Sequence, residues 1–217
     1  MQNQGREDQR GPFLNLGPNS IGIIENSVFE GGVGQIGGAI LVTNGLNLKI
    51  KNTQFRNNRA ISGGALHSSN CYTVEIEEKS IFENNQSSQE GAHIYLDGGT
   101  RFFTDNNVVL RKSTNSKNLL YLTGVENVDI NSTVFTGGQN DGGDTDDAEV
   151  DFQAYIQNVD ASKVETEYQD HLSTLLAKGE VKETSYADFD NSEAMLLLEN
   201  TLNISIKSSK FMNAVAA

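Results

Sequence analysis

The densest set of ligating side chains in the sequence is Asp141, Asp144, Asp146, Asp147 and Glu149, set in the run Gly137-Gly-Gln-Asn-Asp-Gly-Gly-Asp-Thr-Asp-Asp-Ala-Glu149. Hard anionic oxygens of this kind suit calcium. The spacing matches neither an EF-hand loop nor a Gly-Gly-x-Gly-x-Asp repeat. A solvated acidic loop is therefore the expectation, calcium is the one cofactor it could take, and no other cofactor is implied. Paired carboxylates could also process glycans, but that chemistry needs a fixed separation of about 5–10 Å and tuned acidity. Asp146-Asp147 is the only adjacent Asp pair, and it sits in a Gly-rich loop with no rigid element to hold it. Glu75, Glu77 and Asp129 fall on predicted outer strand faces, at positions that do not match from one repeat to the next. His67 and His93 follow Gly pairs or a lone Gly, about one position out of register, and read as partly exposed strand histidines. His171 reads as solvated. Cys71 reads as an inert, partly buried thiol. No catalytic residue is assigned, and the expectation is a protein that is not an enzyme.

The elements that would carry these groups follow from composition and periodicity. The chain has 217 residues, a net charge of −13, one Cys, no Trp, 2 Pro, 21 Gly and 24 Asn. Abundant Gly and Asn with little Pro suit a fold of many tight turns. One Cys excludes a disulfide framework. The acidic balance argues against nucleic acid as a partner, and no apolar run approaches the ~20 residues of a membrane span. Met1–Gly11 is polar and shows no signal peptide.

Three stretches share one skeleton: 39–55, 119–135 and 195–211. Each has a short apolar run, a turn, an alternating strand (Leu46, Leu48, Ile50; Val128, Ile130; Leu202, Ile204, Ile206), then polar residues and a Phe. Weaker copies end at Phe29 and Phe82, and a further step from Phe82 lands on Val108–Leu110. A step of about 26 residues marks a solenoid, and the period-2 alternation selects strands. The fold class expected is all-β: a parallel β-helix of about 26 residues per coil, with like strands stacked about 4.8 Å apart. Phe29, Phe55, Phe82, Phe135 and Phe211 should form an internal ladder. Asn44, Asn70 and Asn200, with Asp97 near the same place, should occupy one turn. Gly37-Gly38, Gly63-Gly64 and Gly91 should supply corners of positive φ.

Gly-Gly-Ala-Ile (37–40) and Gly-Gly-Ala-Leu (63–66), each followed by Phe-x-x-Asn (55–58 and 82–85), resemble the repeats of polymorphic outer-membrane proteins and of large surface proteins of ciliates. The resemblance implies a pectin-lyase-like, right-handed parallel β-helix. Phe29 and Phe135 depart from the pattern, being followed at the second position by Gly. Members of that superfamily range from adhesins to polysaccharide lyases, so the resemblance points to fold more than to activity.

Residues 1–11 read as a polar N-terminal segment, 12–136 as β-helix coils, 137–193 as an acidic insertion and 194–217 as a final coil. The insertion holds fifteen Asp and Glu against three Lys, which leaves the remainder nearly neutral. Within it, Ser162 and Glu165 form a capping box. Val164, Tyr168, Leu172 and Leu175 or Leu176 then recur at helical spacing, predicting an amphipathic helix over about 162–178. That stripe would pack on its own rod or dock a neighbouring chain, with Tyr168, Leu172, Leu175 and Leu176 as the partner-binding candidates. The two ends read as open strand edges that seek protein partners. The function expected is a non-enzymatic extracellular or cell-surface module for structure or adhesion, part of a larger protein or assembly. The alternatives are a β-helix that binds or processes polysaccharide, and a calcium-dependent adhesin.

Overall fold

The computed structural model describes residues 11–111, 118–136, 155–157 and 195–212. The described chain is an all-β parallel solenoid with about 26 residues per turn, and it contains no helix. The predicted helix over 162–178, with Tyr168, Leu172, Leu175 and Leu176, lies outside the described residues. So do His171 and the acidic run Asp141, Asp144, Asp146, Asp147 and Glu149.

The first coil holds β1 (Leu14–Leu16), β2 (Ile21–Glu25) and β3 (Val28–Glu30); the second holds β4 (Ile40–Thr43), β5 (Asn47–Lys51), β6 (Gln54–Arg56) and β7 (Arg59–Ala60). The third holds β8 (Leu66–Ser69), β9 (Thr73–Glu77), β10 (Ile81–Glu83) and β11 (Gln86–Ser87). The fourth has β12 (Ile94–Thr104) and β13 (Val108–Arg111), and the fifth β14 (Leu120–Asn131) and β15 (Thr133–Thr136). Then come β16 (Tyr155–Gln157), β17 (Leu196–Glu199), β18 (Asn203–Lys207) and β19 (Lys210–Met212). One sheet runs β1-β4-β8-β12-β14-β17-β16; beside it β2, β5, β9, β12, β14 and β18 stack; a further 6-stranded sheet runs β3-β6-β10-β13-β15-β19. All pairs are parallel, and hydrogen-bonded partners lie 26, 27 or 28 residues apart within the early coils. Between the fifth coil and the last layer the offset is 76: β15 pairs straight onto β19, with Phe135 opposite Phe211.

The strand alternation decides what is inside. In β5, Leu48 and Ile50 are buried while Asn47, Lys49 and Lys51 face out. Below them lie Val74 and Ile76, then Phe102 and Thr104, then Val128 and Ile130. The expected apolar trios are in fact pairs. Leu46 and Leu202 precede their strands and are exposed, because each follows a left-handed turn residue and one intervening residue rather than continuing the pleat. The Phe ladder is real but broken in two. Phe29, Phe55 and Phe82 stack at 5.1 and 4.6 Å, and Phe135 and Phe211 at 4.5 Å. Leu110 sits opposite both Phe82 and Phe135 and interrupts the column.

The corners are built from left-handed residues. Gly37, Gly63 and Gly91 have φ of 64°, 60° and 65°. A Cβ on Gly63 would run into the Leu66 carbonyl oxygen, so neither backbone nor space admits another residue. Asn44, Asn70 and Asn200 share the left-handed turn at φ 53°, 53° and 51°. Asp97 does not join them: it pairs with Ser69, and Gly98 (φ 72°) takes the turn position. Asn-to-Asn bonds between coils form elsewhere, at Asn26–Asn52, Asn58–Asn85 and Asn127–Asn203.

Asn58 and Asn85 are fully buried. The Asn85 carboxamide oxygen accepts from the Asn58 backbone N–H (3.0 Å) and the Asn58 side-chain amide (2.9 Å). Its amide donates to the Phe55 carbonyl (3.0 Å) and approaches His93 Nδ1 (3.1 Å). Asn58 repeats the pattern one coil earlier, accepting from Gly32 N–H and donating to the Phe29 carbonyl. After each Phe the chain leaves the sheet to turn the corner, and these amides take over the backbone partners that the sheet no longer supplies.

Candidate functional site

The histidines do not sit where the sequence suggests. His67 pairs with Tyr95, so His93 lies two positions out of register, not one, and both are buried rather than partly exposed. His93 is enclosed. Since Nδ1 faces the Asn85 amide donor, its proton belongs on Nε2, which donates to the Arg111 carbonyl at 2.8 Å. Burial holds its pKa down at about 4, so it is a neutral structural group. His67 lies on the outer face of β8 beneath its neighbours. Nδ1 is 2.9 Å from Ser62 Oγ, Nε2 is 3.1 Å from Ser69 Oγ, and burial lowers its pKa, opposed by the charge of Asp97.

A neutral imidazole between two hydroxyls could act as a base toward Ser69, an arrangement legible in hindsight from the His67-x-Ser69 spacing that puts both on one strand face. Acyl chemistry also needs amide donors for an oxyanion. The Asn70 N–H after Ser69 is spent on the Asp97 carbonyl at 2.7 Å, and β8 is paired on both sides, to β4 and β12.

Beyond His67 an outer aromatic column continues to Tyr95 and Tyr121, with ring separations of 4.7 and 4.9 Å and planes within 8° and 23°. Tyr121 donates its hydroxyl to Glu199 on the next layer, and its pKa is pushed upward by burial and by that carboxylate. The rings spend their faces on each other, so what they present outward is edges, while a sugar stacks on a free ring face.

The outer acids Glu75, Glu77, Glu83 and Asp129 are partnered. Glu75 and Asp129 share one outward column, contrary to the expectation that they occupy unmatched positions, because Phe103 pairs with both. Lys49 holds Glu75 at 2.9 Å and Glu77 at 3.3 Å; Arg101 holds Asp129 at 3.2 Å and lies 4.9 Å over the Phe103 ring. Arg56 and Arg111 grip Glu83 from both sides at 2.7 and 3.1 Å. Each of these bases neutralises an acid one coil away, so the outer faces tie coils together. Cys71 is buried with its thiol pKa raised by that burial. Among the described residues no group of His, Cys, Asp and Glu could hold a metal ion, and no helix is long and apolar enough to cross a membrane.

The ends differ from the middle. Among the described residues β1, β2 and β3 each pair on one side only. On this first coil Ile21, Ile23, Val28 and Phe13 are 66%, 67%, 60% and 58% exposed. At the other end β18 and β19 also pair on one side only, whereas the free side of β17 is taken by β16, with Tyr155 opposite Leu197. The site the structure favours is therefore this pair of edges. The residue pattern suggests open ends but not the strand that covers part of one of them.

The chain matches no protein-family model, no curated protein and no solved structure.

Proposed function

We propose that this chain is a non-enzymatic structural module, a β-solenoid built to be one segment of a larger extracellular or cell-surface assembly. The observation that carries the reading is the first-coil edge: three strands, each with one side unpaired among the described residues, with exposed Ile21 and Ile23 on β2, Val28 on β3 and Phe13 just before β1. Open parallel edges with apolar side chains bind more strand. The outer faces support the same reading, since their rings, amides and ion pairs are committed to the neighbouring coil. The cell-surface setting, the right-handed sense and a role in adhesion rest on the likeness of the Gly-Gly-Ala and Phe-x-x-Asn repeats to surface proteins.

The test is the mass and shape of the native particle, by sedimentation and negative-stain imaging from its source. A rod or filament well above 23.6 kDa is expected. A compact particle of one chain would end this reading and turn attention to polysaccharide binding.

A further inference from the structure

The charges on two outward columns alternate in sign through the early coils. In the column through Glu25, Lys51 and Glu77 the sign alternates from coil to coil, and it alternates again through Glu30, Arg56, Glu83 and Arg111. Within the solenoid this alternation produces ion pairs: Lys51 with Glu77 and Glu78 at 3.7 and 2.7 Å, and Arg56 and Arg111 with Glu83. The charges on the end layers are left out of these pairs, although Glu25 lies opposite Lys51. Glu25 on β2 forms no ion pair among the described residues, and neither do Lys207 on β18 and Lys210 on β19. The only charges between residues 11 and 48 are Glu25 and Glu30. The only charges on β18 and β19 are Lys207 and Lys210.

The edges also match in length. β2 and β18 have 5 residues each, and β3 and β19 have 3 each. Asn131 pairs with Lys207 on one side, and the equivalent position of the first coil is Glu25. An incoming first coil laid on the last layer would therefore place Glu25 over Lys207.

We infer that the first coil of one copy docks on the last layer of a second copy, β2 on β18 and β3 on β19, with Glu25 of one against Lys207 of the other. This rests on the assembly reading above and names the partner as the chain itself. The contact is heterologous: the acidic edge of each copy meets the basic edge of the next, so it propagates as a filament rather than closing as a twofold dimer. A twofold contact between first coils would bring together two edges whose only charges are Glu25 and Glu30, both acidic. On the remaining sheet β16 already holds the layer that β1 of the incoming copy would take, so docking puts β1 in competition with β16.

The experiment is sedimentation velocity on the purified full chain from about 1 to about 200 μM at low salt, where charge contacts are least screened. Wild type should rise with concentration from 23.6 kDa to a series of larger species. Glu25→Lys alone and Lys207→Glu alone should each weaken association at least about tenfold. A mixture of the two should restore it, because the reversed first edge of one variant then meets the reversed last edge of the other. Both changes lie on exposed positions, and unchanged far-ultraviolet circular dichroism with an unchanged thermal midpoint shows that each variant folds. Wild type at 23.6 kDa throughout overturns the inference. So does Lys207→Glu associating alone as well as wild type, the mark of a twofold first-coil contact, or a mixture that stays monomeric. A large native particle combined with a purified chain that stays monomeric would refute docking of a second copy and leave the assembly reading standing.

Discussion

Replacing Asn85 by Ala probes the joint on which the coil corners depend. The side chain is fully buried and its amide bonds include those to Asn58 N–H, the Asn58 amide, the Phe55 carbonyl and His93 Nδ1. Alanine fills part of the volume and none of the bonds. The Asn58 amide keeps the Phe29 carbonyl as acceptor, so it is not orphaned. Asn58 N–H, the Phe55 carbonyl and His93 Nδ1 each lose the partner just named. A buried polar group left unsatisfied costs about 1–3 kcal/mol, so the three together cost about 3–6 kcal/mol after partial relaxation. That is a large part of the roughly 5–15 kcal/mol typical of a domain. The assay is equilibrium urea unfolding followed by circular dichroism, with Asn127→Ala as control. Asn127 also bonds to an Asn one layer away, Asn203, in an exposed pair, and donates to the half-buried Thr100 carbonyl; none of its bonds is fully buried, so its loss should cost about 1 kcal/mol. A loss at Asn85 no larger than that at Asn127 would refute the argument that buried amides close the corners.

Neighbouring parts of the same scaffold yield further expectations. His93 is held near pKa 4 in the fold against 6.5 when exposed, so the unfolded chain takes up a proton that the native one refuses. Its effect is absent above about pH 6.5, and it destabilises progressively as pH falls toward 4, by about 1.4 kcal/mol per unit; His93→Gln should flatten that part of the urea-midpoint profile, and an unchanged profile would contradict the assignment. Phe55→Ala removes a ring stacked on both sides and should cost about 3–5 kcal/mol by urea unfolding, whereas Leu110→Met, at the break in the ladder, should cost under about 1.5 kcal/mol. Gly63→Ala should abolish folding, read as loss of the β signature in circular dichroism, since φ is 60° and the new Cβ meets the Leu66 carbonyl. Lys49→Ala should cost under about 1 kcal/mol, shrinking further in high salt, because the pairs lie on the outer face with the Lys49 side chain 30% exposed to solvent and its ions.

The architecture is legible in residue order alone. A repeat of about 26 residues whose apolar positions alternate inside and out can satisfy its backbone only by stacking like on like. The Phe column, the left-handed Asn and the Gly corners stand out because each needs a residue type that few others can replace. Which polar groups matter, and where the coils end, emerge only once the chain is folded. Asp97 yields the turn to Gly98 because the step from Leu66 to Ile94 is two residues longer than that from Ile40 to Leu66, a difference that periodicity averages away. His93 looks like any strand histidine until the corner brings Asn85 and the Arg111 carbonyl to its two nitrogens. Glu75 and Asp129 read as unrelated until Phe103 is placed between them. Lys207 and Glu25 are ordinary surface charges in the sequence; they become complementary edges because stacking pairs every intervening column and leaves these two layers, at opposite ends of the rod, with one side unpaired among the described residues.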